Sequence, residues 1–171
     1  MHYPKYTALH MAAFHNNLED VKQLCTPENV NNTADDRQYI TPLYCVALND
    51  KNIEIKKQII AWLLGNGGNI NAINKQGNSV LFVAALAGKQ EVVEFLLLKG
   101  AKIDKDRFKS STAYLEKRYP AILRLLENPD IVTQQSNYSW PKSGDNSIKQ
   151  RTPRSYNTDE LEMITMVSSL K

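Results

Sequence analysis

Apolar and polar positions along the chain fall into a recurring block. In GNSVLFVAALAGKQEVVEFLLLKGAKID, Gly77 to Asp104, a short apolar run is followed by Gly88, a second apolar run and Gly100. Val92, Val93, Leu96 and Leu97 recur at the i, i+3, i+4 spacing of a buried helical stripe, so the block predicts two short helices with a turn between them. Ser79 stands just before the first run, where its hydroxyl is placed to cap free helix amides. Gly67 and Gly100 follow the second runs, where a left-handed residue ends a helix. The paired alanines Ala12-Ala13 and Ala84-Ala85 keep the first helix thin enough for a neighbour to approach closely.

The block repeats. KYTALHMAAFHNNLEDVKQLC aligns with GNSVLFVAALAGKQEVVEFLL, placing Thr7 on Ser79, Leu9 on Leu81, His10 on Phe82 and Ala12-Ala13 on Ala84-Ala85. A further copy begins ITPLYCVALND, with Thr41, Leu43, Tyr44, Val46 and Ala47 at the same places. Downstream, GGNINAINKQGNS matches GAKIDKDRFKSST, so the register steps by 34, 38 and 33 residues from Thr7 to Thr41, Ser79 and Thr112. A period near 33 residues is the signature of a stacked array in which one helix pair cannot bury its apolar face alone.

These residues carry a resemblance. Thr7-Ala8-Leu9-His10-Met11-Ala12, Thr41-Pro42-Leu43-Tyr44-Cys45-Val46 and Ser79-Val80-Leu81-Phe82-Val83-Ala84 resemble the T-P-L-H-x-A motif of the ankyrin repeat family. The resemblance covers residues 2 to 127 or so and implies an all-α ankyrin-repeat solenoid of about four helix-turn-helix repeats with short hairpins. The expected array spans 2–128, with repeats at 2–35, 36–73, 74–106 and a capping repeat at 107–128. A polar linker follows at 129–157, where Tyr138 and Trp140 are placed to pin it to the last repeat. Residues 158–171 read as a short amphipathic helix or, with equal weight, a frayed terminus or the cut edge of a longer protein.

The copies are uneven. Repeat 1 has Asn16 where repeat 3 has Gly88, Pro27 where its second helix ends, no terminal glycine, and a long hairpin in VNNTADDRQYI. Repeat 2 carries extra residues within DKNIEIKKQIIAWLLGNGG, in its second helix or in the loop before it, while Ile55, Ile59, Trp62 and Leu63 keep helical spacing. Repeat 4 is short, is broken by Pro120 and has Lys117-Arg118 in place of the alanine pair, as a polar cap requires.

Composition narrows the chemistry. The net charge of +3, from 21 basic and 18 acidic residues, points to neither nucleic acid nor a membrane surface. No apolar run reaches the roughly 18 residues of a membrane span, and MHYPKYTALH lacks the apolar core of a signal peptide. Cys25 and Cys45 sit among apolar residues without a C-x-x-C partner, so a zinc site, and metal binding generally, is not expected. His15 lies five residues from His10, the wrong spacing for two ligands on one helical face. His10 takes the family's histidine position, which implies a structural bond to a neighbouring loop. Asp35-Asp36 and Asp104/Asp106 read as solvated turn formers, and GNGGN at 65–69 follows a helix rather than opening one. Lys99, Lys102, Lys105, Arg107 and Lys109 form a basic run broken by Asp104 and Asp106, read as a solvated face rather than a nucleic-acid site. RTPRS at 151–155 is too short a match to assign a phosphorylation site.

No catalytic residue and no cofactor are therefore expected, and the chain is not read as an enzyme. The resemblance implies a protein–protein interaction module, an adaptor and a monomer, contacting its partner through hairpin tips and the exposed side of each first helix. Those positions are Tyr3, Tyr6, Phe14 and His15 in repeat 1, and Arg37, Gln38, Ile40, Leu48 and Asn49 in repeat 2. In repeat 3 they are Lys75, Gln76, Asn78, Leu86 and Ala87, followed by Arg107 and Lys109 at the next tip. Phe14 and Leu86 serve equally well as packing between repeats. Asn71 in GNINA matches the hairpin asparagine that is hydroxylated in some members of the family. A cytoplasmic location is expected. The degenerate repeats and 16 asparagines are also compatible with an effector delivered by an intracellular bacterium into a host cytosol. The alternative is a targeting module of an enzyme whose catalytic domain lies beyond Lys171.

Overall fold

The computed structural model describes residues 6–34, 39–49 and 52–135. Within them the repeating unit forms as four helix pairs. These are α1 (Ala8–Phe14) with α2 (Leu18–Leu24), α3 (Pro42–Leu48) with α4 (Ile53–Gly65), α5 (Val80–Leu86) with α6 (Gln90–Leu98), and α8 (Thr112–Arg118) with α9 (Pro120–Glu127). A one-turn helix α7 (Lys105–Lys109) precedes the fourth pair and α10 (Asp130–Gln135) follows it. First helices α1, α3 and α5 pack side by side in one layer, and second helices α2, α4 and α6 in the other. The all-α solenoid is thus observed. The 158–171 helix, Tyr138 and Trp140 lie outside the described residues.

The first helices approach closely because small residues face their neighbours. Ala12, Ala13, Ala47, Ala84 and Ala85 are fully buried, and around them Tyr44, Ile59, Ile60, Leu63, Leu81, Leu96, Leu115 and Ile122 fill one continuous core. Starts and stops follow local chemistry. The Ser79 hydroxyl accepts from the Phe82 amide at 3.2 Å, and Pro42 occupies the first turn of α3. Thr41 departs from expectation: its carbonyl accepts from Tyr44 and Cys45, but its buried hydroxyl caps nothing. In repeat 1 the missing terminal glycine is replaced by Asn29, which donates to the Leu24 carbonyl at 2.8 Å and accepts from the Thr26 amide at 2.9 Å.

The extra residues of repeat 2 lengthen its second helix, α4, to 13 residues against nine in α6. Pro120 does not disrupt the fourth repeat; it opens α9 and thereby separates the two helices of the pair. Lys117 and Arg118 are exposed, as a polar outer face requires. Two expectations are corrected. The basic stretch after Asp104 is helical rather than an open hairpin, with the Asp104 carboxylate accepting from the Arg107 amide at 3.0 Å. The linker does not begin at 129, because α10 packs its buried Val132 toward α6.

Asn16 (φ 55°) and Gly88 (φ 72°) turn the chain within their pairs through the left-handed region. At Gly88 a Cβ would also lie 2.5 Å from the Tyr119 ring, whereas at Gly67 (φ 90°) it would meet open space. Gly67→Ala should therefore lower stability by about 1 kcal/mol through backbone strain alone. Gly88→Ala should lower it by about 2–3 kcal/mol, because overpacking is added. In a double-mutant cycle read by urea unfolding, Tyr119→Ala should cancel only the excess at Gly88.

Candidate partner-binding surface

The third residue of α1 and of α3 ties its helix to the next hairpin. In α1 the His10 Nδ1 accepts from the Thr7 amide at 3.3 Å and lies 2.7 Å from the Thr7 hydroxyl. That leaves Nε2–H to donate to the Ile40 carbonyl at 3.0 Å, the structural bond expected of this histidine. In α3, Tyr44 takes the same position and its hydroxyl donates to the Asn78 carbonyl. In α5 the position is Phe82, which has no donor, and the next unit reaches back instead. Arg107 donates from Nε and Nη2 to the Asn78 Oδ1 at 2.9 and 2.5 Å, and from Nη2 to the Gln76 carbonyl at 2.5 Å. Its guanidinium sits 5.5 Å from the Phe82 ring centre, and Phe108 packs on that ring at 5.0 Å. Three different side chains thus keep successive hairpins in line.

Each hairpin is closed by its own bonds. The Asn74 amide donates to the Asn78 carbonyl at 2.9 Å, and Asn74 Oδ1 accepts from the Gln76 and Asn78 amides at 3.0 and 2.9 Å. Gly77 supplies the required positive φ of 75°. The equivalent closure between repeats 1 and 2, Ala34 N–H to the Ile40 carbonyl at 2.8 Å, encloses two more residues, which is the longer hairpin read from the sequence. Asparagines also join the hairpin bases. Asn31 bridges the Asn69 amide at 2.7 Å and the Gly67 carbonyl at 2.9 Å, and Asn71 Oδ1 accepts from the Lys102 amide at 2.8 Å.

The anticipated contact residues separate into three groups. Tyr3, Arg37 and Gln38 lie outside the described residues. Phe14, Ile40 and Asn49 are buried (8%, 3% and 5% exposed) and leave the surface. Phe14 and Ile40 pack in the core, while Asn49 bonds the Phe14 carbonyl at 3.0 Å and the Asn16 Oδ1 at 2.8 Å, holding repeat 2 against repeat 1. Lys75, Gln76 and Lys109 are exposed, whereas Leu48, Asn78, Leu86, Ala87 and Arg107 are half-buried. Tyr6 is half-buried edge-on to His10 at 5.8 Å, and His15 half-buried edge-on to Phe14 at 5.4 Å. Tyr39 and Ile73, 52% and 61% exposed in adjoining hairpins, were absent from the expected set. The available signal was a large apolar residue inside an otherwise polar hairpin.

Electrostatics follow burial. Burial pushes the Cys25 thiol up, away from a reactive thiolate. It pushes the Lys56 ammonium down, opposed by the Glu91 carboxylate, while Lys56 Nζ donates to the Asn49 carbonyl at 2.6 Å. Burial raises the Tyr44 phenol well above its ordinary range, against smaller opposing effects from the Asn74 backbone and the Arg107 charge. Among the described residues no group of three His, Cys, Asp or Glu side chains is placed to hold a metal ion. Among them, too, no helix is long and apolar enough to cross a membrane.

The stacked pairs, the hairpin ladder and the period agree with residues 9–107, which match a family model of ankyrin repeats in three copies. The chain belongs to the ankyrin repeat family. Such repeats are generally protein–protein interaction modules and typically non-catalytic. The chain is also similar to a curated yeast protein, Ankyrin repeat-containing protein YIL001W of Saccharomyces cerevisiae, at 43% identity over 49 residues. That match covers 29% of this chain and 10% of the yeast protein.

Burial of the Tyr44 phenol should make the stability of the array depend on pH. A phenol whose folded pKa is raised contributes stability that is fully present below the unfolded tyrosine value of about 10, and this is lost as pH rises further. Tyr44→Phe should lower stability by about 1–2 kcal/mol at pH 7, because the Asn78 carbonyl loses a donor. Urea midpoints measured from neutral pH to above about pH 10 should fall less steeply for Tyr44→Phe than for the native chain.

Proposed function

We propose that this chain is a non-catalytic adaptor that holds a protein partner along the hairpin side of the array. The supporting observation is a row of hairpins fixed in line by His10, Tyr44 and Arg107, from which Tyr39, Ile73, Lys75 and Gln76 project into solvent, with Lys109 exposed at the end of α7. A rigid surface bearing an aromatic residue, an aliphatic residue and charges suits partner recognition, because little side-chain and loop freedom is lost on binding. Leu86, Ala87, His15 and Leu48, at the ends of the first helices, extend this surface, and Tyr6 and Asn78 flank it. The partner is a protein, the array acts as a monomer, and its compartment is the cytoplasm. An effector role in a host cytosol rests on the degenerate repeats and asparagine content alone.

A second reading, a targeting segment within a larger protein, is favoured by the yeast relative, in which the matched segment is a tenth of the length. Both readings place the contact on the hairpin side. Affinity capture from a eukaryotic lysate should therefore yield a partner that Tyr39→Ala, Lys75→Glu and Lys109→Glu, combined in one folded variant, retain at least about tenfold less well. Equal capture by both proteins, with matching circular dichroism, would exclude the hairpin side as the binding surface.

A further inference from the structure

Between the 74–78 hairpin and α7 lies a cavity of about 160 Å³, lined by Ile73, Phe82, Lys102, Ile103, Asp104 and Arg107 among others. It is smaller than the roughly 300 Å³ at which small-molecule sites begin, so it suits one anchoring side chain rather than a cofactor. Its apolar wall includes Ile73, 61% exposed, and the half-buried Ile103. Its charged lining is Lys102 and Arg107 against one acid, Asp104, and the flanking hairpin and α7 carry the exposed Lys75, Lys105 and Lys109 against Asp106. Arg107 meets the carbonyls of Asn78 and Gln76, which are neutral acceptors, so its side-chain bonds leave its charge uncompensated.

We infer that this cavity is the anchor pocket for an acidic peptide segment of the partner. One aliphatic side chain enters between Ile73 and Ile103, and flanking Asp or Glu residues meet the lysine rim; this rests on the adaptor reading above. Charge complementarity selects the occupant, since Lys102 and Arg107 outweigh Asp104 in the lining and Ile73, Phe82 and Ile103 supply an apolar wall. A nucleic acid fits less well: Asp104 and Asp106 interrupt the basic run, and the adjoining aromatic ring, Phe82, is 6% exposed and covered by Arg107, so it offers no base-stacking platform.

The test is selection of a displayed random-peptide library on the full chain, followed by fluorescence anisotropy of the enriched peptides and of a single-stranded DNA oligonucleotide. Enriched peptides should carry Asp or Glu around one aliphatic residue and bind more weakly as salt rises. Lys102→Glu, Lys105→Glu and Lys109→Glu together should weaken them at least about tenfold, and Ile73→Ser about threefold or more. All four side chains are exposed or at the rim, so circular dichroism should be unchanged. Neutral or basic winners, no enrichment, indifference to the charge reversals, or tighter binding of the oligonucleotide would each overturn the inference. Partner capture run in parallel separates the two levels. A partner still lost on Tyr39→Ala alone, without acidic peptides in the selection, would leave the adaptor reading standing and remove the pocket.

Discussion

Neighbouring repeats are held in register by one side chain reaching from the start of a first helix to the next hairpin. His10 does this to Ile40 and Tyr44 to Asn78, each donating to a carbonyl that its own hairpin already uses for closure. A carbonyl has two acceptor sites, so one oxygen serves both the hairpin and the stack. The bond is buried or partly buried, which makes leaving it unmade costly and gives the stack a defined offset. Where the series reaches Phe82 the donor is missing, and Arg107 supplies it from the opposite side. The reversal explains why α7 is helical. Its single turn, capped by Asp104, carries Arg107 back over Phe82 while Phe108 covers the ring edge.

Close packing of the first helices follows from the same register. With alanines at the contact, helices α1, α3 and α5 come near enough for His10 and Tyr44 to reach the next hairpin, and the larger residues fill the core around them. On the hairpin side, asparagines at the bases bond the backbone of adjoining units.

Much of the fold was legible in the residues. The period, the alanine pairs, Gly67, Gly88 and Gly100, and the valine–leucine stripe of α6 each specify local conformation or a buried face, and these properties depend on near neighbours in the chain. The candidate surface was less legible. Lys75, Gln76 and Lys109 are exposed as expected, but Phe14, Ile40 and Asn49 are buried, and Tyr39 and Ile73 stand out instead. Exposure at a hairpin is decided by the residues that the next repeat brings against it. Asn49 shows the difficulty: a polar residue at a helix end reads as solvent-facing, yet its amide is consumed by Phe14 and Asn16 some 33 to 35 residues earlier.

The sequence by itself determined the repeat unit, its all-α character, the number of helix pairs and the places where the chain turns, because helix periodicity, capping and positive φ are local constraints. Only the tertiary structure decided which hairpin residues remain exposed, where α7 and α10 form, and that Ile73, Phe82 and Ile103 meet Lys102, Asp104 and Arg107 in one pocket. Those outcomes depend on contacts about one repeat apart, and the energies that fix them exist only once the stack has formed.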